Sequence, residues 1–333
     1  MYIVERVDID NLYELEKNGQ IHTIFMTRAW IDFLQKNQNA EPILLEFCNA
    51  EKKVQGYFLG MLIKKMGIKI LGSPFEGWLT CDMGFIRVDE LDINLALKSV
   101  ANFAFKKLKC FYVQIIDKNI DLHSLDEEIK LDISRELYMD ISQPKDVLLS
   151  NFTKRTRKDI RQFDNRGAII KQVPFDDDFV DMFYDQLLDV FAKQNLKPNY
   201  SKKKILDLSN SLRRCPDNVL ALQVYSPNDE CIASSLTFGY GKWCYSMATA
   251  SYRFGQRFLP NEKIRWETIK YWKNKGVNNY DLCGYREYKL KFNPIIREIP
   301  VIYFERFHGI HFLKNVFKNG VKIFRKIKGI ITK

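Results

Sequence analysis

The sequence predicts a mixed α/β fold, and three observations carry that expectation. Helical and strand periodicities alternate along the chain. The order helix, helix, meander, helix, strand recurs in each half, as a duplicated α/β unit would give, although no residue-level repeat accompanies it. At 333 residues, 46% hydrophobic and 14% aromatic, the chain has material for two domains or one large one and is far too apolar to stay disordered. Sheets are expected to be mixed and mostly antiparallel, flanked by helices. The expected divisions are 1–145, 146–305 and a basic tail over 306–333.

The first half opens with an acidic amphipathic segment. Thr27 has the chemistry of an N-cap, and Trp30, Phe33 and Leu34 after it share one helical face. PILLEF (42–47) and VQGYFLGMLI (54–63) flank the turn-forming NAEKK, which predicts a hairpin; IKIL (68–71) follows as a third strand. GSPFEGWLTCDMG (72–84) is rich in turn formers yet carries Phe75 and Trp78, aromatics that either line a pocket or plug a core edge. Residues 91–108 have the pattern of an amphipathic helix, and FYVQII (111–116) that of a strand.

The second half begins with a basic helical stretch over 145–166 and the strand AIIKQV (168–173). Helices are expected from about Phe179 and Ser201. Strands 218–225, 230–240 and 242–251, joined by SPND and GYGK, make an antiparallel meander. PNEKIRWETIKYWKNKG (260–276) is a helix with Asn261 as N-cap and Gly276 as its stop, and NYDLCG (279–284) is a short strand.

Charge is placed unevenly: residues 1–150 sum to −5 and residues 151–333 to +16. A basic half joined to an acidic half implies an anionic partner for the second half alone. The opening segment lacks a positive region followed by an apolar core, and no apolar run reaches 18 residues, so neither a secretory leader nor a membrane span is expected. Seven scattered cysteines without a CxxC pair argue against structural zinc and disulfides, and fit a reducing cytoplasm. There is no GxSxG, GxxxxGK[ST] or HExxH motif. His308 and His311 are expected to be solvated, and Asp176–Asp178 to cap a helix. No metal site follows.

Three features point to chemistry. NFTKRTRKDIRQFDNRG (151–167) concentrates Arg155, Arg157 and Arg161 with lysines on a helix; such a face is either solvated or grips phosphate, for which arginine's fork is suited. Tyr245, Tyr252, Trp266, Tyr285 and Tyr288 are interleaved with Asn261, Asp281, Arg286 and Lys289, a mixture that suits a pocket for a sugar or peptide. Asp281 ends a strand, where open α/β sheets put ligand groups; its alternative role is to cap the next turn. Finally, 306–333 holds eight Lys+Arg and no acid, with apolar residues at helical spacing. That is a basic amphipathic helix for an anionic membrane interface, or one packed on the domain with its polar face in water.

PNEKIRWETIKYWKNKGVNNYDLCG resembles the helix–turn–strand of the Fem-type peptidyltransferases and their CelD-like acetyltransferase relatives in the GNAT superfamily. Tyr288-Lys289-Leu290-Lys291-Phe292-Asn293 looks like the motif that follows it in the family. KRTRKDIRQFDNRGAIIKQV resembles the family's Arg-rich helix, and FMTRAWIDFL and ILGSPFEGWLTCDMG its first-domain helix and glycine-rich strand end. RFGQRF (253–258) approximates the GNAT pyrophosphate loop.

The resemblance implies two tandem GNAT-like domains and acyl transfer to an amine, without a tightly bound cofactor. The co-substrate is acyl-CoA in the CelD-like relatives and aminoacyl-tRNA in the peptidyltransferases. The acceptor is a phosphate-bearing, nucleotide- or lipid-linked sugar or another cell-envelope precursor; DNA is not a partner. On this reading Asp281 and Lys289 are catalytic: Asp281 takes a proton and Lys289 polarises a carbonyl or holds a phosphate. Arg155, Arg157, Arg161, Trp78, Tyr245, Tyr252, Asn261, Trp266, Tyr285, Arg286 and Tyr288 bind substrate. The enzyme works in the cytoplasm, peripheral to the inner membrane face through 306–333. The rival from another class is a non-catalytic module that binds anionic glycolipid.

Overall fold

The computed structural model describes residues 2–65, 67–75, 78–192, 195–198, 200–314 and 316. The chain divides into two units, one of residues 1–21, 25–134 and 298–333, the other of 22–24 and 135–297. In chain order the elements are β1 (Ile3–Val7), α1 (Asn11–Lys17), α2 (Arg28–Gln38), β2 (Glu41–Cys48), β3 (Val54–Lys65), β4 (Ile68–Ser73), β5 (Phe85–Arg87), α3 (Ile93–Lys106) and β6 (Tyr112–Ile115). Then come β7 (Leu131–Asp140), α4 (Lys145–Asn151), α5 (Lys154–Asn165), β8 (Ile169–Val173), α6 (Asp177–Ala192), α7 (Lys202–Leu212), β9 (Val219–Tyr225), β10 (Cys231–Tyr240), β11 (Trp243–Ser251), α8 (Pro260–Asn274), β12 (Asn279–Asp281) and β13 (Ile295–Glu305).

In the first unit the Thr27 hydroxyl accepts from the Trp30 N–H, the expected cap, and Trp30, Phe33 and Leu34 are fully buried. The hairpin β2–β3 forms in register Leu44↔Leu59, and the strand order is β1-β2-β3-β4-β6-β13 with β4 and β6 parallel. Phe47, Phe58, Leu97 and Val113 make its core. Each large apolar side chain so buried contributes roughly 1.5–3 kcal/mol.

The expected divisions at 145 and 305 differ from the units found, for a reason of pairing. Ile302–Glu305 of β13 pairs antiparallel with β6, over 180 residues earlier, so the chain returns to the first unit at Glu298. Pro300 within β13 obscures its strand pattern.

In the second unit the order is β7-β12-β11-β10-β9-β8, antiparallel except for β11 and β12. The expected meander is β9-β10-β11. Ile160, Phe163, Leu222, Trp266 and Trp272 share the core under α5 and α8. Trp272 packs so tightly on Gly239 that a Cβ there would lie 2.2 Å from the ring. Two local expectations are corrected. The stretch 145–166 is two helices, because Phe152 is extended and Thr153 caps α5 through its hydroxyl. Asn261 is not the N-cap of α8: Leu259 takes that position in the left-handed region, and Pro260 fills the first helical position with its fixed φ. Asp176 does cap, accepting from the Phe179 N–H at 3.0 Å.

Of the tail, residues 317–333 lie outside the described residues. Its start packs on the first unit, which corrects the expectation for His311. That ring stacks on Tyr303 at 3.6 Å, bonds the Tyr112 hydroxyl at 2.8 Å and pairs with Asp132 at 3.2 Å. His308 is exposed as expected. No helix among the described residues is long and apolar enough to cross a membrane.

Candidate functional site

The second unit contains a fork between parallel strands. β11 and β12 pair over Trp243↔Asn279, Cys244↔Tyr280 and Tyr245↔Asp281, and there they part. β11 continues beside β10, with a bulge at Met247, to Ser251. The chain after Asp281 instead follows β7: the Leu282 N–H donates to the Leu137 carbonyl at 2.8 Å and the Tyr285 N–H to the Arg135 carbonyl at 3.1 Å. The side of Ser246–Thr249 facing away from β10 therefore has no strand partner among the described residues. Met247, Ala248 and Thr249 are half-buried.

At the fork sit three buried charged side chains. Asp281, 2% exposed, accepts from the Cys283 N–H at 2.7 Å, which tightens the turn after β12. Lys289 is buried, and its Nζ donates to the carbonyls of Leu282 (2.6 Å), Cys283 (2.8 Å) and Gly284 (3.0 Å). Burial pulls its pKa below the ordinary value. The three bonds use the three donors of the ammonium. To hold a substrate phosphate or polarise a carbonyl, Lys289 must give one of them up.

The third group, Arg265, was not among the sequence-based candidates. It is buried on α8, donates to Ser246 Oγ at 3.0 Å and to the Tyr280 hydroxyl, and lies 5.2 Å from the Tyr280 ring centre. Its signal was legible: Arg265 interrupts a stripe of Ile264, Thr268, Ile269 and Trp272, all buried at helical spacing. Arg265 and Asp281 act with opposite sign on the fully buried Cys244 thiol, whose pKa burial drives well above its usual value. Burial likewise pushes the Tyr280 phenol up to about 12. Two cations and one anion leave this cluster with an excess positive charge. Such a surplus in a poorly hydrated place favours an anionic substrate group or a developing oxyanion.

The remaining candidates scatter. Tyr245 and Trp266 are core residues, the latter edge-on to Phe152 at 5.9 Å. Tyr285 is half-buried against the same core, while Arg286 and Tyr288 of the following turn are exposed. Tyr252 stacks on Phe254 at 5.3 Å, and Asn261 is exposed at the start of α8. Trp78 belongs to the first unit, where it packs on Phe75 at 4.8 Å; the Phe75 ring in turn covers Gly72. On α5 the arginines split in role. Arg157 donates to the carbonyls of Ser150 and Phe152, closing the end of α4. Arg155 and Arg161 point into solvent with Lys154 and Lys158. The start of α5 is tied to the segment holding Lys289, since the Thr153 N–H donates to the Lys291 carbonyl at 3.0 Å.

Before α8, Arg253 and Arg257 are exposed on the 3-10 turn Phe254–Phe258, and the helix start behind them has no side-chain cap. Unsatisfied N–H groups at such a start attract anions.

Residues 150–290 match the family model described as acetyltransferase (GNAT) domain. Among solved structures, FemX superposes with a TM-score of 0.68 at 13% identity, covering 90% of this chain and 97% of that one. L-PGS from Bacillus licheniformis gives 0.54 at 14%, with 91% and 94% covered. A tandem GNAT protein from the clavulanic acid biosynthesis pathway gives 0.51 at 7%, with 92% and 98% covered. No curated protein matches. Residues 150–290 are thus a GNAT acyltransferase domain, in a chain whose fold is that of the tandem GNAT-like proteins. Acetyltransferases of this superfamily use acyl-CoA as a co-substrate and carry no tightly bound cofactor.

Proposed function

We propose that this GNAT-type acyltransferase moves an acyl group onto the amine of an anionic, phosphate-bearing precursor of the cell envelope, a nucleotide- or lipid-linked sugar in the first instance. The observation that carries this reading is the fork past Tyr245 and Asp281, with Asp281, Arg265 and Lys289 buried at its base. Direct attack by an amine needs a fixed geometry, a base and an oxyanion site, and no covalent nucleophile. The open side of Ser246–Thr249 offers main-chain groups to the acyl donor. Arg253, Arg257 and the uncapped start of α8 suit its phosphates.

As the new C–N bond forms and the bond to the donor's sulfur breaks, the amine nitrogen sheds a proton. Asp281 receives it through water and passes it on to the departing thiolate, which leaves as the thiol while Asp281 returns to the carboxylate. Lys289, with its donors on three carbonyls, acts as a positioning residue that fixes the 282–284 turn behind Asp281. Arg265 supplies the fixed positive charge.

A second donor class is favoured by one observation: Lys154, Arg155, Lys158 and Arg161 form an exposed cationic face on α5. A polyanionic donor such as an aminoacyl-tRNA would use it, and its apparent affinity would fall steeply with salt. The test is a purified full-length chain given acetyl-CoA or aminoacyl-tRNA together with amino-sugar nucleotides and lipid-linked precursors. Product mass and free thiol are followed. An acylated amine from either donor supports the reading; binding of the acceptors without product from any donor would replace it with the non-catalytic module.

A further inference from the structure

The outer edge of the second unit's sheet has features that acyl transfer does not use. β8 ends the strand order and pairs only with β9 among the described residues, in register Ile170↔Val224 and Val173↔Ala221. Alternate residues of β8 thus point their N–H and C=O groups outward. Ile169 on this edge is 50% exposed, a liability that folds usually blunt or cover.

Both faces of the sheet beside this edge are hollow. On the Val173 face lies a hollow of about 780 Å³ whose apolar part is formed by Phe175, Leu212, Val219 and Ala221, with Asp176 and Arg213 also lining it. On the Ile170 face lies a groove of about 690 Å³ between α5 and α8, floored by Phe163, Leu222 and Tyr271 and rimmed by Lys145, Lys263 and Lys270 against Asp164 and Glu267. Lys263 and Lys270 hold those two acids, and Lys145 has no ion-pair partner among the described residues.

Side chains of a strand alternate between faces. A strand added to β8 would therefore send every second side chain into the hollow on the Val173 face and the others over the lysine-rimmed groove. We propose that β8 is a docking edge for an extended segment of another protein, apolar at alternate positions and acidic at those between. Main-chain bonds to β8 supply affinity and the two hollows supply specificity. A second copy of this chain fits worse. The fully paired two-fold register of Ile169–Val173 would set Lys171 opposite Lys171, and directly opposed like charges destabilise a sheet.

The probes are two ten-residue peptides, one alternating Leu and Glu and one alternating Leu and Lys, added to the full-length chain. Hydrogen exchange at 169–173 and titration calorimetry are read. The Leu/Glu peptide is expected to slow exchange across β8, and the Leu/Lys peptide to bind at least on the order of tenfold more weakly. In the Lys145→Glu/Lys270→Glu variant that preference should vanish or reverse. N-methylation of alternate peptide nitrogens should abolish the protection. The proposal is overturned by absence of protection from both peptides, by equal binding of both, or by indifference to N-methylation. It is also overturned if the chain alone sediments as a dimer with 169–173 already protected, which would make the edge a self-interface.

Discussion

Tyr245 and Asp281 are the last residues to pair between the parallel strands β11 and β12, and from that point the two strands take different neighbours. The sheet thus forks at a buried carboxylate and leaves the Ser246–Thr249 edge of β11 without a strand partner among the described residues. The same region holds two buried cations, Arg265 and Lys289. Five consequences can be measured.

Asp281→Asn keeps the shape of the side chain and an oxygen to accept from the Cys283 N–H. Turnover is expected to fall by about 10²–10⁴-fold, the usual contribution of a positioned base, with the melting temperature little changed. Thiol release from acyl-CoA measures it. Full activity in the variant would remove Asp281 from the mechanism.

Lys289→Met strips the Leu282, Cys283 and Gly284 carbonyls of their shared donor. Leaving buried acceptors unmet should cost roughly 2–4 kcal/mol in denaturant unfolding. Lys289→Arg should recover part of it. A Lys289→Met protein as stable as the parent but inactive would instead assign the ammonium to substrate.

The arginines of α5 should separate by assay. Arg157→Ala loses two bonds to the end of α4 and should cost about 1 kcal/mol. Arg155→Ala/Arg161→Ala touches a solvated face and should leave stability within about 0.5 kcal/mol while weakening a phosphate-bearing ligand. If the double variant binds such a ligand unchanged, the face is merely solvated.

Tyr280 should mark alkaline unfolding. Its phenol ionises near 12 in the fold against 10.0 for an ordinary tyrosine, because burial opposes the charged form. The stability it contributes is complete below pH 10 and drains away as pH climbs towards 12. Over that interval the loss is on the order of 2–3 kcal/mol. Tyr280→Phe should flatten the decline of unfolding free energy between pH 10 and 12. An unaltered slope would mean the loss comes from other groups.

Gly239→Ala would place its methyl inside the Trp272 ring contact. Overpacking of this kind costs about 1–3 kcal/mol. It should also disturb the bond from the Trp272 indole N–H to Thr237 Oγ1, visible as a shift in tryptophan emission. A variant that unfolds at the parent's denaturant midpoint would show that the ring can move aside.

Much of the architecture was legible because it is local. Thr27, Ser201 and Gly276 mark helix ends through their own side chain or lack of one, and the meander over 218–251 follows from period-two runs broken by SPND and GYGK. Asp281 and Lys289 could be picked out by type and by resemblance, as residues eight apart around a strand end. The order of residues in 260–293 likewise pointed to the GNAT superfamily, which the domain match over 150–290 supports.

What the sequence determined, then, was most of the helices and strands and the superfamily of the second half. Only the tertiary structure decided which neighbours those residues meet. The return of β13 to β6 depends on pairing across most of the chain's length. Lys289 is spent on three carbonyls because the turn after β12 folds back around it. Trp266 and Tyr245 face the core instead of a ligand, and Arg265 joins the site by lying on the buried side of α8. Capping and periodicity act over a few residues and can be read along the chain. Burial and the partner of each charge arise only when distant segments meet.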